Sequence, residues 1–105
     1  MAGSAAEDAF EGVRFSFADF ESVTESSEGL LVHGTLFAFL DGDELVVELD
    51  PQRAFDLVER GIATRFSAEG EVSREWVKVA DQQLWPELAR EAHEYVGEPP
   101  VGGDS

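Results

Sequence analysis

The stretch that decides the fold is Gly29-Leu-Leu-Val-His-Gly-Thr-Leu-Phe-Ala-Phe-Leu-Asp-Gly-Asp-Glu-Leu-Val-Val-Glu-Leu-Asp-Pro51. Three apolar runs, Leu30 to Val32, Leu36 to Leu40 and Glu44 to Leu49, are cut by His33-Gly34 and by Asp41-Gly42-Asp43. Short apolar runs separated by turn residues predict a meander of antiparallel strands. The middle run is apolar on both alternations, which predicts a central strand covered at least partly on both faces. The last run alternates more cleanly, with Leu45, Val47 and Leu49 on one face and Val46 and Glu48 on the other.

Asp50-Pro51 opens a helix. Asp caps a helix N-terminus well, and Pro at the first helical position wastes no hydrogen bond. Ala54, Phe55, Leu57 and Val58 are expected to supply its buried stripe, and Gly61 to end it. Ile62 to Phe66 and Glu75 to Val79 are the next strands, joined through Glu69-Gly70. In the closing helix Trp85, Leu88, Ala89, Ala92, Tyr95 and Val96 form an amphipathic stripe, stopped by Gly97 and the prolines beyond. Upstream, Phe10, Val13, Phe17 and Phe20 fall on one helical face, while Val13, Phe15 and Phe17 also alternate as in a strand. The acids Glu7, Asp8 and Glu11 favour a helix over roughly 7–20. The expected fold is therefore α+β, two layers with an antiparallel sheet and helices, in the order α-β(3)-α-β(2)-α.

The order of these motifs resembles the N-terminal domain of TfoX-type proteins. The resemblance rests on Gly29-Leu30, the turn before Phe37-Ala38, the Leu45-Val46-Val47-Glu48-Leu49 strand and the helix begun by Pro51. It continues in Arg74-Glu75-Trp76-Val77 and in the Trp85, Leu88, Ala89, Ala92 spacing of the last helix. The related YjbR-like group is its neighbour. The resemblance covers about residues 10–96 and implies a bacterial regulatory domain of the same fold, with no catalytic residues to carry over. Two positions depart from the family pattern: Thr35 and Glu48 stand where relatives carry Lys.

Composition bounds the rest. The chain has 105 residues, 23 acids against 7 Lys and Arg, and a formal charge of −16. One domain is expected, over residues 7–96, with disordered tails at 1–6 and 97–105. No apolar run reaches the roughly 20 residues of a membrane span. The acidic start at Met1 to Phe10 does not read as a secretory signal, so a cytoplasmic location is expected. The absence of Cys excludes disulfides, thiolate metal sites and thiol nucleophiles.

The charge opposes nucleic-acid binding, which needs cations to replace phosphate counterions. Arg60, Arg65, Arg74 and Lys78 would have to converge, and pairing with Glu59, Glu71 and Glu75 is the expected use. Glu87, Glu91 and Glu94 line one helix face beside His93, but one imidazole falls short of a zinc set, and Arg90 can neutralise the group. Asp41, Asp43 and Glu44 are too closely spaced for a calcium loop. No nucleophile, phosphate loop or environment-split carboxylate pair stands out, so no enzyme, cofactor, metal or catalytic residue is expected. Trp85 reads as core, and Trp76 as core or binding surface. The reading is a small acidic protein-interaction or regulatory module, monomeric or weakly dimeric, with an unidentified protein partner. The alternatives are a DNA-associated regulator and an acidic-surface divalent cation binder.

Overall fold

His33 and Gly34 connect two antiparallel strands with backbone φ of 53° and 83°. Positive φ at both central residues is what a two-residue turn needs to follow the right-handed twist of a hairpin. That turn joins β2 (Leu30–Val32) to β3 (Thr35–Asp41), and a second turn leads to β4 (Glu44–Glu48). A computed structural model describes the backbone of residues 5–68 and 71–97, with side chains placed for all of these except 67–74. The flanking elements are α1 (Ala5–Ser16), the short edge strand β1 (Val23–Glu25), α2 (Pro51–Glu59), β5 (Ala63–Ala68), β6 (Glu71–Val79) and α3 (Trp85–Gly97). A single 3₁₀ turn, Gln82–Leu84, leads into α3. The protein is thus α+β in the expected order, with β1 as an additional strand.

The six strands form one antiparallel sheet in the order β1-β2-β3-β4-β6-β5. All three helices build on one face of it. α3 packs on β2, β3 and β4, α2 on β5 and β6, and α1 on α3. Between the layers lie Leu30, Phe37, Ala38, Leu45, Val47, Val77 and Val79 from the sheet, with Val13, Leu57, Trp85, Leu88 and Ala92 from the helices. The Trp85 indole is fully enclosed and its Nε1 donates to the Val79 carbonyl at 2.9 Å.

The capping of α2 follows the sequence. Asp50 Oδ1 accepts from the Gln52 amide at 2.8 Å, and Pro51 takes the first helical position. Its buried residues are Ala54 and Leu57, whereas Phe55 is 54% exposed. The expected place of Phe55 in the stripe is thus corrected: one residue past Ala54 is about 100° round the helix and leaves the buried face. Tyr95 on α3 likewise sits at the edge of its stripe, 37% exposed. α1 stops at Ser16 and not at residue 20, and the chain continues in single turns such as Phe17 N–H to Arg14 C=O. At its other end α1 begins at Ala5, with Ala6 buried against the core, inside the stretch expected to be disordered. Residues 1–4, 69–70 and 98–105 lie outside the described set, so the Glu69-Gly70 join and most of both expected tails fall there.

β3 differs from expectation in a way that shapes the molecule. The register between β2 and β3 shifts at Leu30/Leu31, and Phe37 and Ala38 both turn into the core. A bulge puts successive residues on the same side and resets the alternation beyond it. Leu36, at the start of that doubly apolar run, is therefore turned out of the core, and lies with Phe39 on the side away from the helices. That side is not covered in the way the doubly apolar run suggested.

Candidate functional site

The sheet face opposite the helices carries an aromatic surface. Cross-strand partners share a face, so Phe39, Val46 and Lys78 line up across β3, β4 and β6. Phe39 sits 5.5 Å from the Trp76 ring and 5.6 Å from the Phe66 ring, centroid to centroid. All three aromatics are half-buried, and Val46 between them is fully enclosed without joining the helix-side core. Beside them Leu36, Phe39 and Glu28 border a shallow hollow of about 320 Å³. Trp76 is thus surface and not core.

The border of this face is acidic. Lys78 Nζ lies 3.8 Å from Asp41 and 3.7 Å from Glu44, so the one described cation of the face is held by two carboxylates. Glu28 borders the hollow too, on the same strand-end side as Asp41. Arg60 pairs with Asp56 at 3.3 Å, and Arg65 lines a groove of about 510 Å³ beside Pro51, Gln52, Phe55 and Asp56 on the helix side. Lys78 and Arg65 therefore occupy opposite faces, and among the described residues Lys78 pairs with Asp41 and Glu44 and Arg60 with Asp56. The side chains of Glu71 and Arg74 lie outside the described set.

The helix face with Glu87, Glu91 and Glu94 is used structurally. Arg53 Nε and Nη2 reach the two Glu91 oxygens at 2.8 and 3.0 Å, a bidentate clamp of α2 onto α3. That hydrogen bond pushes the Arg53 guanidinium above its ordinary range. Arg53, not Arg90, is the neutralising cation. His93 turns inward among Phe17, Phe20 and Phe37, with ring centroids 5.2 to 5.7 Å away. Among the described residues no group of three or more His, Asp or Glu side chains could hold a metal ion.

One carboxyl pair escaped the sequence reading. Glu48 hydrogen-bonds Glu75, and burial, this bond and the Glu75 charge together push its carboxyl from 4.5 up to about 7. Burial is the largest of these causes. Tyr95 is shifted the same way, first by burial and then by the charges of Glu75, Glu48 and Asp50. The pair has a consequence for stability. A carboxyl whose folded pKa is raised favours the fold at low pH, and that contribution is lost as pH rises from about 4.5 through about 7. Glu48→Gln is therefore expected to add about 1–2 kcal/mol at pH 8 and almost nothing at pH 4. This allows for solvent screening of a half-exposed group. Urea melts at the two pH values measure it, and an equal gain at both would refute the proton-sharing pair.

The remaining acids act collectively. At −16 the fold repels itself, so its melting temperature should rise as sodium chloride screens charges beyond about 10 Å at 0.1 M. A flat or falling melting temperature up to about 0.5 M would mean the short-range pairs dominate. No helix of the described residues is long and apolar enough to cross a membrane. Comparison of the chain with family models, with curated proteins and with solved structures finds no match in any of the three.

Proposed function

We propose that this domain is a non-catalytic protein-interaction module that works through its open sheet face. The observation that carries the reading is the Phe39, Phe66 and Trp76 cluster on a face where none of the described helices packs. Aromatic residues at the centre of a patch with charges at its border are the usual anatomy of a protein-binding surface. A solvated antiparallel sheet normally shows polar residues on its outer side, so three aromatics there ask for a partner. The acidic border and the separation of Lys78 from Arg65 disfavour a phosphate-binding role. The regulatory role implied by the TfoX-type resemblance is compatible with such a module, but the reading rests on the face and not on the resemblance.

Affinity capture from native cell extract tests it, with wild-type protein beside a Leu36→Lys variant. A protein retained in stoichiometric amount by the wild type and lost with the variant is the expected result. Proteins retained equally by both would overturn the reading. So would binding of random duplex DNA tighter than about 10⁻⁵ M at about 0.15 M salt.

A further inference from the structure

Resting on that reading, we infer that the open sheet face takes a basic amphipathic helix of a partner protein, its apolar stripe on Phe39, Phe66 and Trp76 and its cations against Glu28, Asp41 and Glu44. Shape comes first. The apolar surface runs over four neighbouring strands, β3, β4, β6 and β5. At about 4.8 Å between strands that is roughly 14 Å across, close to the 10–12 Å diameter of a helix with its side chains. The apolar residues lie in the middle of this band, and Glu28, Asp41 and Glu44 lie together at its end toward the β3–β4 turn. A helix with one apolar stripe and cations toward one end of it presents the complementary arrangement.

Charge selects the occupant. A second copy of this chain would bring the same acidic border and a charge of −16 against −16. Like charges brought together at an interface oppose association, and complementary ones accelerate and orient it. Lys78 is already held between Asp41 and Glu44, so it offers little attraction to an acidic partner. A partner with Lys or Arg toward one end of its apolar stripe would meet these carboxylates there. The surrounding negative field would also speed its approach.

The test uses the intact chain and two labelled peptides. One is a roughly 18-residue Leu/Lys peptide with leucines at helical spacing, and the other carries Glu for every Lys. Fluorescence anisotropy should show binding of the Leu/Lys peptide only, at least about tenfold weaker when sodium chloride rises from about 0.05 to 0.5 M. Emission from Trp76 should shift to the blue on binding, while Trp85, already enclosed in the core, contributes no change. Leu36→Lys should weaken binding about tenfold or more, and Glu28→Lys about threefold, both with wild-type folding by circular dichroism. Phe55→Lys adds on α2 the same single charge as Leu36→Lys and should leave affinity within about twofold. If Leu36→Lys fails to fold, Glu28→Lys against Phe55→Lys decides the point.

Equal binding of both peptides, an unchanged Trp76 emission, or equal losses in the three variants would overturn the inference. Face-dependent dimerisation of the chain alone at micromolar concentration would do the same, by making a second copy the occupant. If the Leu/Lys peptide does not bind while capture still yields a partner lost with Leu36→Lys, the face is a docking site for another chemistry. The basic helix then falls and the module reading stands. Capture that ignores Leu36→Lys removes the module reading itself.

Discussion

Replacing Trp85 with alanine is expected to cost about 3–5 kcal/mol, the largest single loss available in this fold. The side chain is fully enclosed where α3 meets the sheet, so its removal leaves a cavity lined by residues that cannot all collapse into it. Its Nε1 also satisfies the Val79 carbonyl, which would be left with one partner fewer. A domain of this size has a total stability of about 5–15 kcal/mol, so the variant should sit near the unfolding threshold. At about 4–8 °C per kcal/mol, its melting temperature should fall by roughly 15 °C or more. Trp76→Ala supplies the contrast. That ring is half-buried on the open face, and its loss should cost no more than about 1.5 kcal/mol. Trp85→Phe separates the two contributions, since it keeps most of the packing and loses only the hydrogen bond, worth about 1–2 kcal/mol. Similar losses for Trp85→Ala and Trp76→Ala would mean that the sheet has no open side.

The two tryptophans also mark where the sequence was legible. Trp85 belongs to a helix whose apolar positions recur at helical spacing, and local periodicity was enough to place it in the core. Asp50-Pro51 and His33-Gly34 were readable for the same reason, because caps and tight turns are specified by neighbouring residues. Trp76 depends on distant partners. β6 inserts between β4 and β5 in the sheet, and only that order carries Phe39, Trp76 and Phe66 to one surface. No window of the chain contains that information. The bulge in β3 is a second case: alternation through Leu36 to Leu40 gives no sign that Phe37 and Ala38 both point inward. Glu48 is a third, since its raised pKa arises first from burial in the assembled sheet and then from Glu75, on another strand. β1 was missed for a simpler reason. Val23-Thr24-Glu25 is too short to show a period, and it runs straight into Ser26 and Ser27. Those serines form the turn, with Ser26 and Gly29 exchanging backbone hydrogen bonds at 2.9 and 3.3 Å.

Gly29 is where this turn controls the candidate surface, and Gly29→Ala is expected to cost about 2–4 kcal/mol. Its φ is +153°, which a side chain rarely tolerates, and an added Cβ would overlap the Ala38 carbonyl oxygen and approach Phe39 Cβ to 2.6 Å. Neither neighbour can give way easily. Ala38 is buried and pairs with Leu30 across β2 and β3 and with Val47 across β3 and β4, so moving its carbonyl disturbs two ladders. Phe39 is the ring from which both aromatic contacts on the open face are made. The substitution should therefore lower stability and change Trp76 emission together, linking the backbone of the meander to the binding surface. Gly12→Ala gives the control. Gly12 lies in α1 with nothing within 4 Å of an added Cβ, and a helical Gly→Ala change should stabilise by about 0.5–1 kcal/mol. Chemical denaturation of the two variants, read by Trp76 and by circular dichroism, would show opposite signs. A Gly29→Ala protein as stable as the wild type would mean that β2 and β3 do not approach as closely as Gly29 allows, and the bulge that turns Leu36 and Phe39 outward would go with it.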